Sequence, residues 1–120
     1  MATTLSKVIL TGSTNGLGIK VAATATAGTT IHTAIAGTTS MDEIWLYAMN
    51  SSTTTDVNLT LEWGGVGAPD DNIFITIPAY SGLILVAPGL LLRNTLIVKA
   101  FASVANVVTI HGYVNRITIV

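Results

Sequence analysis

The chain has 120 residues, half of them hydrophobic and only 9% charged, with a net charge of -1 and no cysteine. Domains ordinarily carry roughly 25% charged residues, so a mean hydropathy of +0.67 points to a membrane protein or to a subunit covered by copies of itself. The charge leaves no basic footprint for nucleic acid and no polybasic patch for anionic lipid, and disulfides and thiolate metal sites are excluded.

Residues 1–18 are predicted to form an N-terminal arm and a Gly-rich hinge, ahead of one β-domain over 19–120. The arm carries one lysine and the triplet Val8, Ile9, Leu10, too little for a signal peptide. The chain is therefore expected to be made in the cytoplasm without an export signal. The triplet is the right size to add as a strand to the sheet edge of a neighbouring subunit. The next stretch, Thr11-Gly-Ser-Thr-Asn-Gly-Leu-Gly18, matches the glycine fingerprint of short-chain dehydrogenases. Its context refuses that chemistry. Residues 19–35 hold Thr, Ala and Gly rather than an amphipathic helix, and no acidic residue comes before Asp42. The Tyr-x-x-x-Lys pair is missing too, because Ser51, Ile84 and Ile117 follow the three tyrosines at that spacing. A Gly/Asn turn is the reading that remains.

Two Thr/Ala strands are predicted over Ile19–Ala25 and Thr29–Ala36. Asp42–Asn50 alternates with apolar residues on both faces, Ile44, Leu46 and Ala48 against Trp45, Tyr47 and Met49, so both faces should be covered. Val57, Leu59, Leu61 and Trp63 alternate with Asn58, Thr60 and Glu62, the pattern of a strand with one wet face. A glycine-rich loop over 64–72 holds Asp70 and Asp71, and Ile73, Ile75 and Ile77 then mark a strand stopped by Pro78. Leu83–Ala87 is the next strand, and Pro88-Gly89 should break the chain before Leu90. In the last stretch, residues 94–118, Leu96, Val98, Ala100 and Ala102 share one face, as do Val108, Ile110, Gly112 and Val114. The spacing predicts an antiparallel hairpin with Val98 opposite Gly112 and Ala100 opposite Ile110, and with Asn106 at a φ > 0 loop position. About eight short strands separated by turn residues imply an all-β, single-domain antiparallel β-sandwich of jelly-roll type. The charge-free window 72–92 is long enough to cross a membrane, but Pro78, Gly82, Pro88 and Gly89 cut it into strand-sized pieces. No membrane partner is expected.

No constellation of residues declares a reaction. His32 and His111 have no third ligand at metal-binding spacing. Asp70 and Asp71 lack the calcium-loop pattern and read as a solvated turn. No acid is paired with a base, and no serine sits in a nucleophile elbow. Neither catalytic, cofactor nor metal residues are therefore assigned. Trp45, Tyr47, Trp63 and Tyr113 read as core and interface aromatics, with a sugar-binding platform as the sharper alternative.

The run from Pro88 to Ala102, continuing over Val108–Arg116, together with Asp42–Asn50 and Val57–Gly65, resembles small virion proteins of tailed bacteriophages. The resemblance covers residues 40–118 and lies in strand patterning. It implies a head decoration (cement) protein, a β-sandwich subunit, usually trimeric, clamped on the outside of a capsid and lacking an active site. The expected partners are copies of itself and the major capsid protein of the virion, through a surface comprising Val8, Ile9, Leu10, Trp45, Tyr47, Ile97, Phe101 and Tyr113. The alternative is a tail- or fibre-associated binding module that recognises a receptor or glycan.

Overall fold

Strands need partners for their backbone and a buried side for their apolar residues, and here both needs are met by two sheets around one core. The computed structural model describes residues 2–120. Among them are nine strands and no helix: β1 (Thr3–Val8), β2 (Ile19–Lys20), β3 (Thr29–Thr33), β4 (Met41–Asn50), β5 (Val57–Trp63), β6 (Asn72–Ile77), β7 (Ile84–Leu92), β8 (Ile97–Ala102) and β9 (Val108–Ile119). One sheet has the order β1-β9-β4-β7, with β2 also on β9; the other has the order β3-β8-β5-β6. Every pairing is antiparallel.

The pairings are nested. β5 turns into β6 as a hairpin; outside it β4 pairs with β7, then β3 with β8, then β1 and β2 with β9. From β2 onward, consecutive strands other than β5 and β6 therefore lie in opposite sheets, with their inward faces meeting across the core. Ile44, Leu46 and Ala48 from β4, Leu59 and Leu61 from β5, Val98 and Ala100 from β8, and Val108 and Ile110 from β9 are fully buried there.

This topology replaces the expected β8–β9 hairpin. Ala100 pairs with Leu61 and Thr29, while Ile110 pairs with Ala48 and Ile19. Alternation dictates which residues face inward and is blind to whether two inward faces lie side by side or opposed. Asn106 has φ 66° as expected, but its turn carries the chain from one sheet to the other. Leu96 precedes β8 and is exposed.

Other boundaries also differ. The two Thr/Ala runs shrink to β2 and β3. Thr60 and Glu62 are buried rather than wet. The segment before β3 covers Glu62, whose carboxylate accepts hydrogen bonds from Thr26 Oγ1 at 2.9 Å and Gly28 N at 2.6 Å. Pro88-Gly89 does not end a strand. β7 is a sheet edge, where proline is tolerated, and the register shifts there as at a bulge. The N-terminal arm is a strand of its own chain's sheet, with Thr3 opposite Ile119 and Val8 opposite Val114. It does not wait for a neighbour to provide an edge.

Gly112 on β9 lies opposite Leu46, and a side chain there would run into the carbonyl oxygen of Trp45. Gly112→Ala should destabilise the subunit by about 1–3 kcal/mol, as overpacking does. An unchanged urea midpoint would contradict this close approach.

Candidate functional site: the outer face of the β1-β9-β4-β7 sheet

Residues opposite one another in register share a face, so the outward side of this sheet reads as rows across its strands. Leu5, Ile117 and Met41 form one row, and Lys7, Asn115, Glu43 and Leu91 the next. Tyr113, Trp45 and Pro88 form the third, and His111, Tyr47 and Leu85 the fourth. Leu5 is 71% exposed, Leu91 53% and Leu85 46%. The total accessible surface, 6164 Å², is close to the roughly 6,100 Å² a compact monomer of this mass exposes. The fold is therefore well closed, and these leucines are set outward by strand parity rather than left over by poor packing.

The aromatic row is tightly built. The Trp45 and Tyr113 rings stack with centroids 6.3 Å apart and planes within 12°. Gly89, at φ +76°, lies so close to the indole that an added Cβ would come within 2.9 Å of it. On the other side the Lys7 ammonium sits 4.6 Å from the centre of the Tyr113 ring. Gly89, Trp45, Tyr113 and Lys7 thus make a continuous ladder across β7, β4, β9 and β1, with the two half-buried rings stacked on one another. Glu43 holds it from the next row, accepting from Trp45 Nε1 at 2.7 Å and from Asn115 Nδ2 at 3.0 Å. Those two bonds, Asn115's the larger influence, keep the Glu43 carboxyl below its usual range. Leu5, Lys7, Glu43, Asn115 and Ile117 line a trough of about 460 Å³ beside the ladder.

Beneath one end of this face lies a buried polar network. Asp42, fully buried, accepts from Arg116 Nε at 2.8 Å and Arg116 Nη2 at 3.0 Å, from His32 Nε2 at 2.8 Å and from Ile35 N at 3.1 Å. It joins β4 and β9 to β3 of the other sheet. Burial works to raise the Asp42 carboxyl, but the bonds from Arg116 and His32 outweigh it and the group lies below its usual value. His32 is pushed down, because burial of its ring outweighs the attraction of Asp42. Arg116 is raised by its bond to Asp42.

Of the residues expected to form one interface, Trp45, Tyr47 and Tyr113 come together on this face. Ile97 and Phe101 lie half-buried on strand β8 of the other sheet, and Phe101 pairs across from Thr60. Leu10 is in the core at 2% exposure, Val8 is half-buried against that core, and Ile9 is 52% exposed. Leu85, Leu91, Lys7 and Gly89 were not foreseen. Asp42 and Arg116 could have been, since each shares the parity of inward residues, Ile44 and Val114 respectively.

No group of three or more His, Cys, Asp or Glu is placed to hold a metal among the described residues, and no helix there is long and apolar enough to cross a membrane. Asp71 accepts from Gly67 N at 3.0 Å, the bond of a satisfied turn. No protein-family model, curated protein or solved structure matches the chain.

Replacing Asp42 by Asn should strand the charge of Arg116. Breaking a buried pair costs about 3–5 kcal/mol, and the lower end is expected because the Arg116 side chain keeps 26% exposure. Stability should also depend on pH. Both Asp42 and His32 bind protons less readily when folded, so the unfolded chain takes them up first and acid favours unfolding. The stabilisation is complete above about pH 6.5 and lost stepwise as pH falls through the histidine and then the carboxylate range. Urea midpoints at pH 7.5, 5.0 and 3.5 should decline in that order; a flat series would contradict the network.

Proposed function

We propose that the chain is a structural virion subunit, a capsid decoration (cement) protein that self-associates, with a trimer favoured, and binds the major capsid protein at the shell surface. The observation that carries this reading is the outer face of the β1-β9-β4-β7 sheet. Exposed Leu5, Leu85 and Leu91 surround a prearranged aromatic ladder. Exposed leucines beside an ordered aromatic pair favour association, and side chains already held in place lose little freedom when a partner arrives.

The fold reading that goes with it is a jelly-roll β-sandwich. Counting β1 and β2 as one interrupted strand leaves eight, and the nested pairs are those of a long hairpin rolled into two sheets. Jelly rolls recur in viral capsid and lectin domains, a fold-level analogy that supports either use. Glycan recognition is the weaker reading. A sugar stacks on an open ring face, whereas Trp45 is taken up by Gly89 and Tyr113, and Tyr113 by Trp45 and Lys7.

Light scattering at micromolar concentration should give a multiple of the subunit mass. Leu85→Glu with Leu91→Glu should return it to a single subunit while moving stability by no more than about 0.5 kcal/mol per site, as surface changes do. The unmodified protein should also appear in purified virions at a copy number set by shell symmetry. A monomer in solution that is absent from virions would sink the proposal.

A further inference from the structure

We propose that His32 is an acid-sensitive latch on the segment between β1 and β2: protonating its ring unhooks residues 11–18 from β3. Three hydrogen bonds hold that segment. Thr11 N donates to His32 Nδ1 at 3.1 Å, Thr33 N donates to Thr11 Oγ1 at 2.6 Å, and Gly12 N donates to Ile31 O at 2.9 Å.

The first bond fixes the state of the ring. A backbone N–H can only donate, so Nδ1 is unprotonated and the ring's one proton is on Nε2, facing Asp42 Oδ2 at 2.8 Å. His32 is fully buried, so water cannot take over either role. A second proton must go to Nδ1, where it would point at the Thr11 N–H and leave two donors face to face. The surroundings offer little in return. From β4 comes Asp42, already occupied by Arg116 and Ile35; from β9 comes Arg116, a cation that opposes a second one nearby. β8 sets the uncharged Val98 opposite His32, and the Thr11 segment brings only its backbone and a hydroxyl.

Unhooking has a defined extent. The three bonds lie on two consecutive residues of the segment and are lost together. Asn15 and Gly16, at φ 55° and 89°, form a turn beyond them. β1 remains held by β9. The backbone of Ile31 and Thr33, on the end strand of its sheet, is then uncovered and open to pairing.

Amide hydrogen exchange at pH 7.5 and 5.0, corrected for the intrinsic pH effect, tests this. Protection at Thr11, Gly12 and Thr33 should fall by about tenfold or more at pH 5.0, the change expected from one unit of proton linkage, while β4 and β9 stay protected. His32→Gln, which cannot titrate, should abolish the difference. Ring ¹⁵N shifts of the unaltered protein, which need no variant to fold, should show the Nε2–H tautomer at pH 7.5. Equal protection at both pH values, a pH response retained in His32→Gln, or a proton on Nδ1 at pH 7.5 would overturn the latch.

Discussion

The β5–β6 hairpin is the closure on which the rest of the pairing depends. Once Val57 lies opposite Ile77 and Leu61 opposite Ile73, β4 is brought to β7 and β3 to β8, each pair wrapping outside the last, and the β4–β9 and β5–β8 pairings join these pairs into two sheets. A chain wound in this way meets its own start only at the end, with Thr3 opposite Ile119. Most of its contacts are therefore distant in sequence, and such topologies fold slowly because loop closure precedes the stabilising contacts. The winding also explains why single strands carry so much: β9 pairs with β1, β2 and β4, so its alternation must satisfy the core on one side and the outer rows on the other.

Which residues point inward was legible from sequence because it follows from strand geometry alone. Ile44, Leu46, Leu59, Leu61, Val98, Ala100, Val108 and Ile110 share the parity of their runs and are all fully buried. Which strand lies beside which was not legible, because Ala100 facing Ile110 across a core produces the same alternation as Ala100 beside Ile110 in one sheet. Glu62 shows a second limit. On β5 its parity is that of exposed Asn58, and only a segment more than thirty residues away, bonded through Thr26 and Gly28, covers it. Pro88 shows a third, since a proline reads as a break until the strand is known to be an edge.

The sparse charge of the chain acquires a structural meaning in the ion pair of Asp42. Of its few ionic groups, Asp42 and Arg116 are spent on joining β4 to β9 and to His32 of the opposite sheet. Replacing such a network by apolar residues often leaves stability unchanged, whereas its geometry is tied to one strand register. The two arginine bonds set Asp42 against Arg116, the pairing that also places Trp45 against Tyr113 three positions along β4. A shift of one residue would turn the aromatic row inward. The buried charge and the outer ladder are thus two consequences of one alignment.

The outer face then follows from what the inner face leaves over. On strands whose second face lies outside the core, large side chains have to find neighbours there as well. Trp45 and Tyr113 find each other, Gly89 makes room for the indole by lacking a side chain, and Lys7 caps the far ring. Glu43 takes hydrogen bonds from Trp45 and Asn115. The sheet carrying β8 has no such ladder, because the segment over Glu62 interrupts its outer side and Phe74 stands exposed at its edge. The two outer faces of the subunit therefore differ: one carries an ordered aromatic ladder flanked by exposed leucines, and the other does not.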